Sequence, residues 1–109
     1  MASTYKILGQ SAPAATTSVD LYTVPAATQS IVSSITISNR GTAAGTFRVS
    51  VAIAGAVLAD AQYIVYDQQL EPNATVGLTL GVSLAATDKI RVYASTANFS
   101  FNAFGCELS

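Results

Sequence analysis

Histidine is missing altogether from this 109-residue chain, and with it every Ser-His-Asp or Cys-His nucleophilic unit. Tryptophan is absent as well, and cysteine occurs once, at Cys106. A single thiol cannot close an internal disulfide, which fits synthesis in a reducing compartment. It has no cationic neighbour in sequence, so Cys106 reads as an inert thiol rather than a nucleophile. The usual zinc sites need histidine or several cysteines, and neither is available. The six acids, Asp20, Asp60, Asp67, Glu71, Asp88 and Glu107, are scattered singly. None forms the local pair that glycosidase chemistry or a calcium loop would show. Gly77 and Gly81 fall inside an alternating stretch and not ahead of a helix, so no phosphate-cradling loop is present. The sequence therefore predicts no catalytic residue, no cofactor site and no metal site.

Charge is scarce in both signs. Ionisable Asp, Glu, Lys and Arg make up 10% of the residues, against roughly 25% in an average soluble domain. With a net charge of −1 there is no basic footprint for nucleic acid. No run approaches the roughly 20 apolar residues that cross a bilayer as a helix, so no membrane partner is expected. Met1-Ala2-Ser3-Thr4-Tyr5-Lys6 lacks a charged start followed by an apolar stretch, which predicts a chain without a secretory leader. The triplets Asn73-Ala74-Thr75 and Asn98-Phe99-Ser100 are then chance matches to a glycosylation signal. A folded domain of this size exposes about 5,700 Å². Eleven charged side chains cover that area thinly, and a surface of Ser, Thr, Ala, Asn and Gln favours subunit contact, since little charge is desolvated there.

What the sequence does contain is alternation. In Ser30–Ile53, Ile31, Ile35 and Ile37 form one row opposite Ser34, Thr36 and Ser38. Phe47, Val49, Val51 and Ile53 then form another row opposite Thr46, Arg48, Ser50 and Ala52. Side chains two apart share a strand face, so each half reads as a strand with one buried side. The connection Asn39–Gly45 carries two glycines and an asparagine, which suits chain reversal, and predicts a central antiparallel hairpin. Further strands are expected at Tyr5–Gln10, Val19–Val24, Gln62–Asp67, Thr75–Leu84, Lys89–Ser95 and Phe99–Phe104. Ala54–Ala61 reads as a crossing loop. About eight short strands at this spacing, with no convincing helix, predict one all-β domain over residues 1–109. Its architecture is an antiparallel two-sheet β-sandwich, jelly-roll or immunoglobulin-like.

The outer face of the hairpin, with Ser34, Thr36, Arg48 and Ser50, is small and nearly uncharged. Together with Tyr93, which shares a strand face with Lys89 and Arg91, it forms the candidate subunit-contact surface. Tyr22, Tyr63, Tyr66 and Tyr93 are the alternative, as stacking groups for a sugar if they gather in one groove.

The segments YKILGQ (Tyr5–Gln10), LYTVPA (Leu21–Ala26), SNRG (Ser38–Gly41) and FRVSV (Phe47–Val51) resemble small structural proteins of tailed bacteriophages. So do QYIVYD (Gln62–Asp67), LTLGVSLAATDKIRVYAS (Leu78–Ser95) and FNAFG (Phe101–Gly105). The resemblance runs along essentially the whole chain but marks strands and turns, so it carries over no functional residue. It implies a non-enzymatic virion component, made in the host cytoplasm. Its partners would be other virion proteins, either the major capsid protein or those of the tail and neck. A capsid cement or decoration protein, a homo-oligomer and in some cases a trimer, is the role the short chain suits best. A neck, baseplate or fibre-associated protein is the alternative, and a carbohydrate-binding host-recognition module is the alternative of another class.

Overall fold

The computed structural model describes residues 2–109. Nine strands follow one another: β1 (Ser3–Ser11), β2 (Val19–Thr23), β3 (Gln29–Asn39), β4 (Gly45–Ala52), β5 (Tyr63–Leu70), β6 (Thr75–Leu78), β7 (Val82–Leu84), β8 (Lys89–Ala94) and β9 (Phe99–Leu108). Two short 3-10 turns, Ile53–Gly55 and Asp60–Gln62, interrupt the β4–β5 connection. The first sheet has the order β1-β9-β3-β6, with β7 also paired to β3; the second has β2-β8-β4-β5. All pairings are antiparallel. Early strands pair with late ones in nested fashion: β1 with β9, β2 with β8, β3 with β6 and β7, and β4 with β5. One long hairpin rolled up in this way is a jelly roll, which decides between the two sandwich types.

Ser30–Ile53 is not a hairpin. β3 and β4 belong to different sheets and do not pair. Two strands facing each other across a core show the same inward apolar rows as two strands paired side by side, so alternation alone cannot separate these cases. The connecting residues cross between sheets, pinned by Asn39. Its amide donates to Ala43 O at 2.9 Å and Leu70 O at 3.1 Å, and its oxygen accepts from Gly41 N–H at 2.9 Å. Ile35, Ile37 and Val49 are buried as expected, and Val51 packs against the same core. Ile31 and Ile53 do not belong to it, being 43% and 82% exposed.

The displacement of Ile31 has a cause in the backbone. The β3–β9 register slips between Val32 and Ser34, leaving Ser33 as an extra residue. Such a bulge reverses the inward parity. Ser30 and Val32 therefore face inward before it, and Ile35 and Ile37 after it. On the facing strand stands Gly105, where a β-carbon would run into the carbonyl oxygen of Ile31, so the close approach needs glycine. The expected strand Thr75–Leu84 is also broken in two. β6 pairs with Ile35–Ser38 and β7 with Ser30–Val32, and the intervening residues contain Gly81 at φ +61°. Leu80, which shares its parity with Val76, Leu78, Val82 and Leu84, is 51% exposed at that break.

The core is aromatic at one end. Phe47 of β4 sits against Phe99 and Phe101 of β9, with both ring centroids 6.2 Å away, joining the two sheets. At the other end a polar link spans them. The β2–β8 register slips between Asp20 and Tyr22, so Leu21 and Tyr22 are both buried. The Tyr22 hydroxyl donates to Glu107 Oε2 and lies 2.6 Å from Ser30 Oγ. With its single proton given to Glu107, it accepts from Ser30. Desolvation, then the hydrogen bond to Glu107, pushes the Tyr22 phenol up to about 12. Glu107 is held below the usual carboxylate range by that same bond and by Lys6.

A group whose folded pKa is raised contributes stability below its unfolded value and loses it as pH rises through the folded value. Tyr22 should therefore cost the fold stability between the ordinary tyrosine value of 10.0 and about 12. Thermal melts across that alkaline range should fall more steeply for the natural protein than for Tyr22→Phe. Parallel curves would remove the phenol from the account.

Candidate interaction surfaces

The outer face of the second sheet is built from alternate residues of β4 and β8. Arg48 stands opposite Tyr93, and Ser50 opposite Arg91. The Arg48 guanidinium lies between two rings, 4.4 Å from the centroid of Tyr66 and 4.3 Å from that of Tyr93. It also donates from Nε and Nη2 to the two carboxylate oxygens of Asp67, at 2.6 and 3.2 Å. Asp67 adopts φ +51°, a left-handed turn in β5 where the β4–β5 register is also irregular. The Arg48 hydrogen bond holds the Asp67 carboxyl below its ordinary value, and Asp67 raises the Arg48 pKa further. Tyr63 meets Tyr66 edge-on at 4.8 Å. Three tyrosines thus gather on this face, while Tyr22 lies in the core.

Beside them Asp20 accepts from Lys89 Nζ at 2.8 Å and Arg91 Nε at 3.3 Å, and the Lys89 bond leads in lowering its pKa. The terminal nitrogens of Arg91 donate to Ala56 O at 2.7 Å and Gly55 O at 3.1 Å. Arg91 therefore clamps the β4–β5 connection over the sheet. Ser50 is buried beneath it, beside a cleft of about 180 Å³ lined by Arg48, Ser50, Leu58, Tyr63, Arg91 and Tyr93 among others. Arg40 is engaged with Ser100 Oγ and Ala97 O, and Lys6 with Glu107. All five cationic side chains are thus internally partnered.

The outer face of the first sheet divides into two halves. Ser34, Thr36 and Ser38 of β3 stand opposite Phe104, Asn102 and Ser100 of β9. Beyond the Ser33 bulge the face turns apolar: Tyr5 and Ile7 of β1 adjoin Cys106 and Phe104, and Ile31 lies on the other side of Cys106. Tyr5 is 84% exposed and Ile7 52%. A shallow groove of about 450 Å³ runs between Tyr5, Ile31, Phe104 and Cys106.

The candidate contact residues are thereby split. Arg48, Ser50 and Tyr93 share the second sheet's outer face, whereas Ser34 and Thr36 lie on the first sheet's. The error follows from the supposed hairpin. Sequence reasoning also passed over Tyr5, Ile7 and Phe104 as a surface; the parity of Tyr5 and Ile7 marked them as neighbours, but nothing marked their side as outward. Among the described residues no three His, Cys, Asp or Glu side chains gather so as to hold a metal ion. No helix there is long and apolar enough to cross a membrane.

No family model matches the chain, and no curated protein matches it in sequence. Solved structures do match in fold. A chain in the structure of the Gx strain of infectious bursal disease virus superposes with a TM-score of 0.60 at 11% identity, over 97% of this chain and 32% of its own length. The Gt strain gives 0.53 at 7% identity, over 96% and 31%. The T13 particle of the same virus gives 0.54 at 10% identity, over 96% and 30%. At these identities the likeness is one of fold, and it covers about a third of each viral chain. The class so defined is a jelly roll of the form found in virus-particle structures.

Proposed function

We propose that this protein is a non-enzymatic structural component of a virion, and in particular a cement or decoration protein on the capsid of a tailed bacteriophage. The observation that carries the reading is the fold match to virus-particle structures over 97% of the chain. The sequence resemblance to small phage structural proteins points the same way, and so does the surface. Internally partnered cations leave little to be desolvated on contact, and the apolar half of the first sheet is free to be covered. Burying what remains exposed of Ile7 and Ile31 is worth about 1 kcal/mol each, and Tyr5 offers more area. A standard interface of about 800 Å² per partner needs only a few such anchors. In this role the protein acts mechanically, adding buried area between neighbouring shell subunits.

Purified protein should add to capsids that lack it and raise their resistance to heat. Labelling confined to the tail or neck in cryo-electron micrographs would overturn the cement role and favour the tail-associated one. The gathering of Tyr63, Tyr66 and Tyr93 supports a second reading, glycan binding on the second sheet. It is the weaker, because Arg48 already stacks over the rings of both Tyr66 and Tyr93. A glycan array would decide for it if binding were lost in Tyr93→Ala.

A further inference from the structure

Four strand edges remain at the borders of the two sheets, and three are blunted. β2 is five residues long and bulged, β5 is irregular in register and turned at Asp67, and β6 and β7 are pieces of four and three residues. Short, bulged or charged edges resist pairing with another chain. β1 is different. Ser3–Ile7 is regular up to the slip beyond Ile7, exposed at every residue, free of proline, and charged only at Lys6. That charge is already engaged with Glu107 at 3.1 Å.

The direction of its free backbone groups can be derived. In an antiparallel ladder, residue pairs alternate between exchanging both hydrogen bonds and exchanging none. Ala2 and Ser109 exchange both, at 2.6 and 3.0 Å. With the register unbroken, the next exchanging pairs are Thr4 with Glu107 and Lys6 with Gly105. Ser3, Tyr5 and Ile7 therefore turn their N–H and C=O groups away from β9, toward the open edge.

We infer that β1 pairs with β1 of a second copy of this chain, antiparallel about a twofold axis at Tyr5. In that register Tyr5 exchanges both bonds with Tyr5 of the second copy, and Ser3 does the same with Ile7, so every free group of the segment is used. Lys6 then faces Thr4. An axis at Lys6 would set the two lysines against each other and leave Ser3 to pair beyond the bulge. A twofold contact uses the same patch on both copies, and the antiparallel edge meets that condition. It also joins the two apolar half-faces, so that Tyr5, Ile7 and Phe104 of both copies form one continuous strip. This assembly belongs to the isolated protein and stands or falls apart from the virion reading.

Sedimentation of the purified protein should give the mass of a dimer. Tyr5→Pro should give a monomer with unchanged circular dichroism, because the N–H it removes is not used within the chain. In a Cys106→Ser background, Tyr5→Cys should cross-link on mild oxidation. Directly opposed residues of an exchanging pair stand about 5.5 Å apart at Cα, within disulfide range. Lys6→Cys should not cross-link, since its counterpart lies diagonally, beyond the roughly 7 Å limit. A monomeric natural protein overturns the inference, including one whose edge instead takes up a strand from a different chain. So does an oligomer that persists in Tyr5→Pro, or cross-linking at position 6 in place of position 5.

Discussion

An Asn39→Asp variant should lose about 3–5 kcal/mol of stability in urea titration near neutral pH. Asn39 is 2% exposed, and its amide group serves two carbonyls, Ala43 O and Leu70 O. Aspartate keeps the size and the acceptor for Gly41 N–H, but it sets an anionic oxygen against those carbonyls. Each buried acceptor left without a donor costs about 1–3 kcal/mol, and a buried charge costs more. The defect should also depend on pH. Burial raises the folded pKa of the new carboxyl above its ordinary value of about 3.9, so the part of the penalty due to charge is absent below that value and grows as pH rises toward the folded pKa, while the loss of one donor remains at every pH. Asp20, Asp67 and Glu107 behave oppositely in both proteins: their folded values are lowered, and what they contribute is lost as pH falls through those values. The gap between variant and natural protein should therefore narrow in acid. A gap that does not change with pH would mean that Asn39 acts through shape and not through its donors.

Phe47→Ala is the second large loss, about 3–5 kcal/mol. The ring is fully buried and touches both Phe99 and Phe101 across the sheets, so truncation leaves a cavity lined from both sides. At about 4–8 °C per kcal/mol for a domain near this size, the melting temperature should drop by more than about 12 °C. Phe47→Leu refills part of the space and should cost about 1–2 kcal/mol. A drop of less than about 4 °C for the alanine variant would contradict the placement of Phe47 at the joint between sheets.

The strands themselves were legible. The period-two alternation that sets Ile35 with Ile37 and Val49 with Val51 on one side of their strands placed nearly every element and the all-β class. Sheet membership was not, because period-two alternation reports which side of a strand is dry and nothing about its lateral neighbour. Bulges are equally silent in sequence. Ser33 and Leu21 each shift parity by one residue, sending Ile31 outward and Tyr22 inward against the simple count. The contact surface suffered most, since residues assigned to one face lay on two. Arg48 and Tyr93 did come together, because they stand opposite each other across the β4–β8 ladder. The Tyr66 and Asp67 partners of Arg48 arrive through the irregular β5, for which the sequence held no signal.

The position of β9 has a consequence for how the chain is made. The strand that comes last in this sequence lies in the interior of the first sheet, flanked by β1 and β3. A chain growing on the ribosome has neither of those neighbours satisfied until Phe99–Leu108 has left the exit tunnel. Until then β1 has no partner in its sheet and β3 is paired only on its β6 and β7 side, so the first sheet cannot be completed stepwise from the start of the chain. Its acquisition of structure should be abrupt and slow, in the millisecond-to-second range of folds built from distant pairings. Holdase chaperones would therefore have a long window on this small chain.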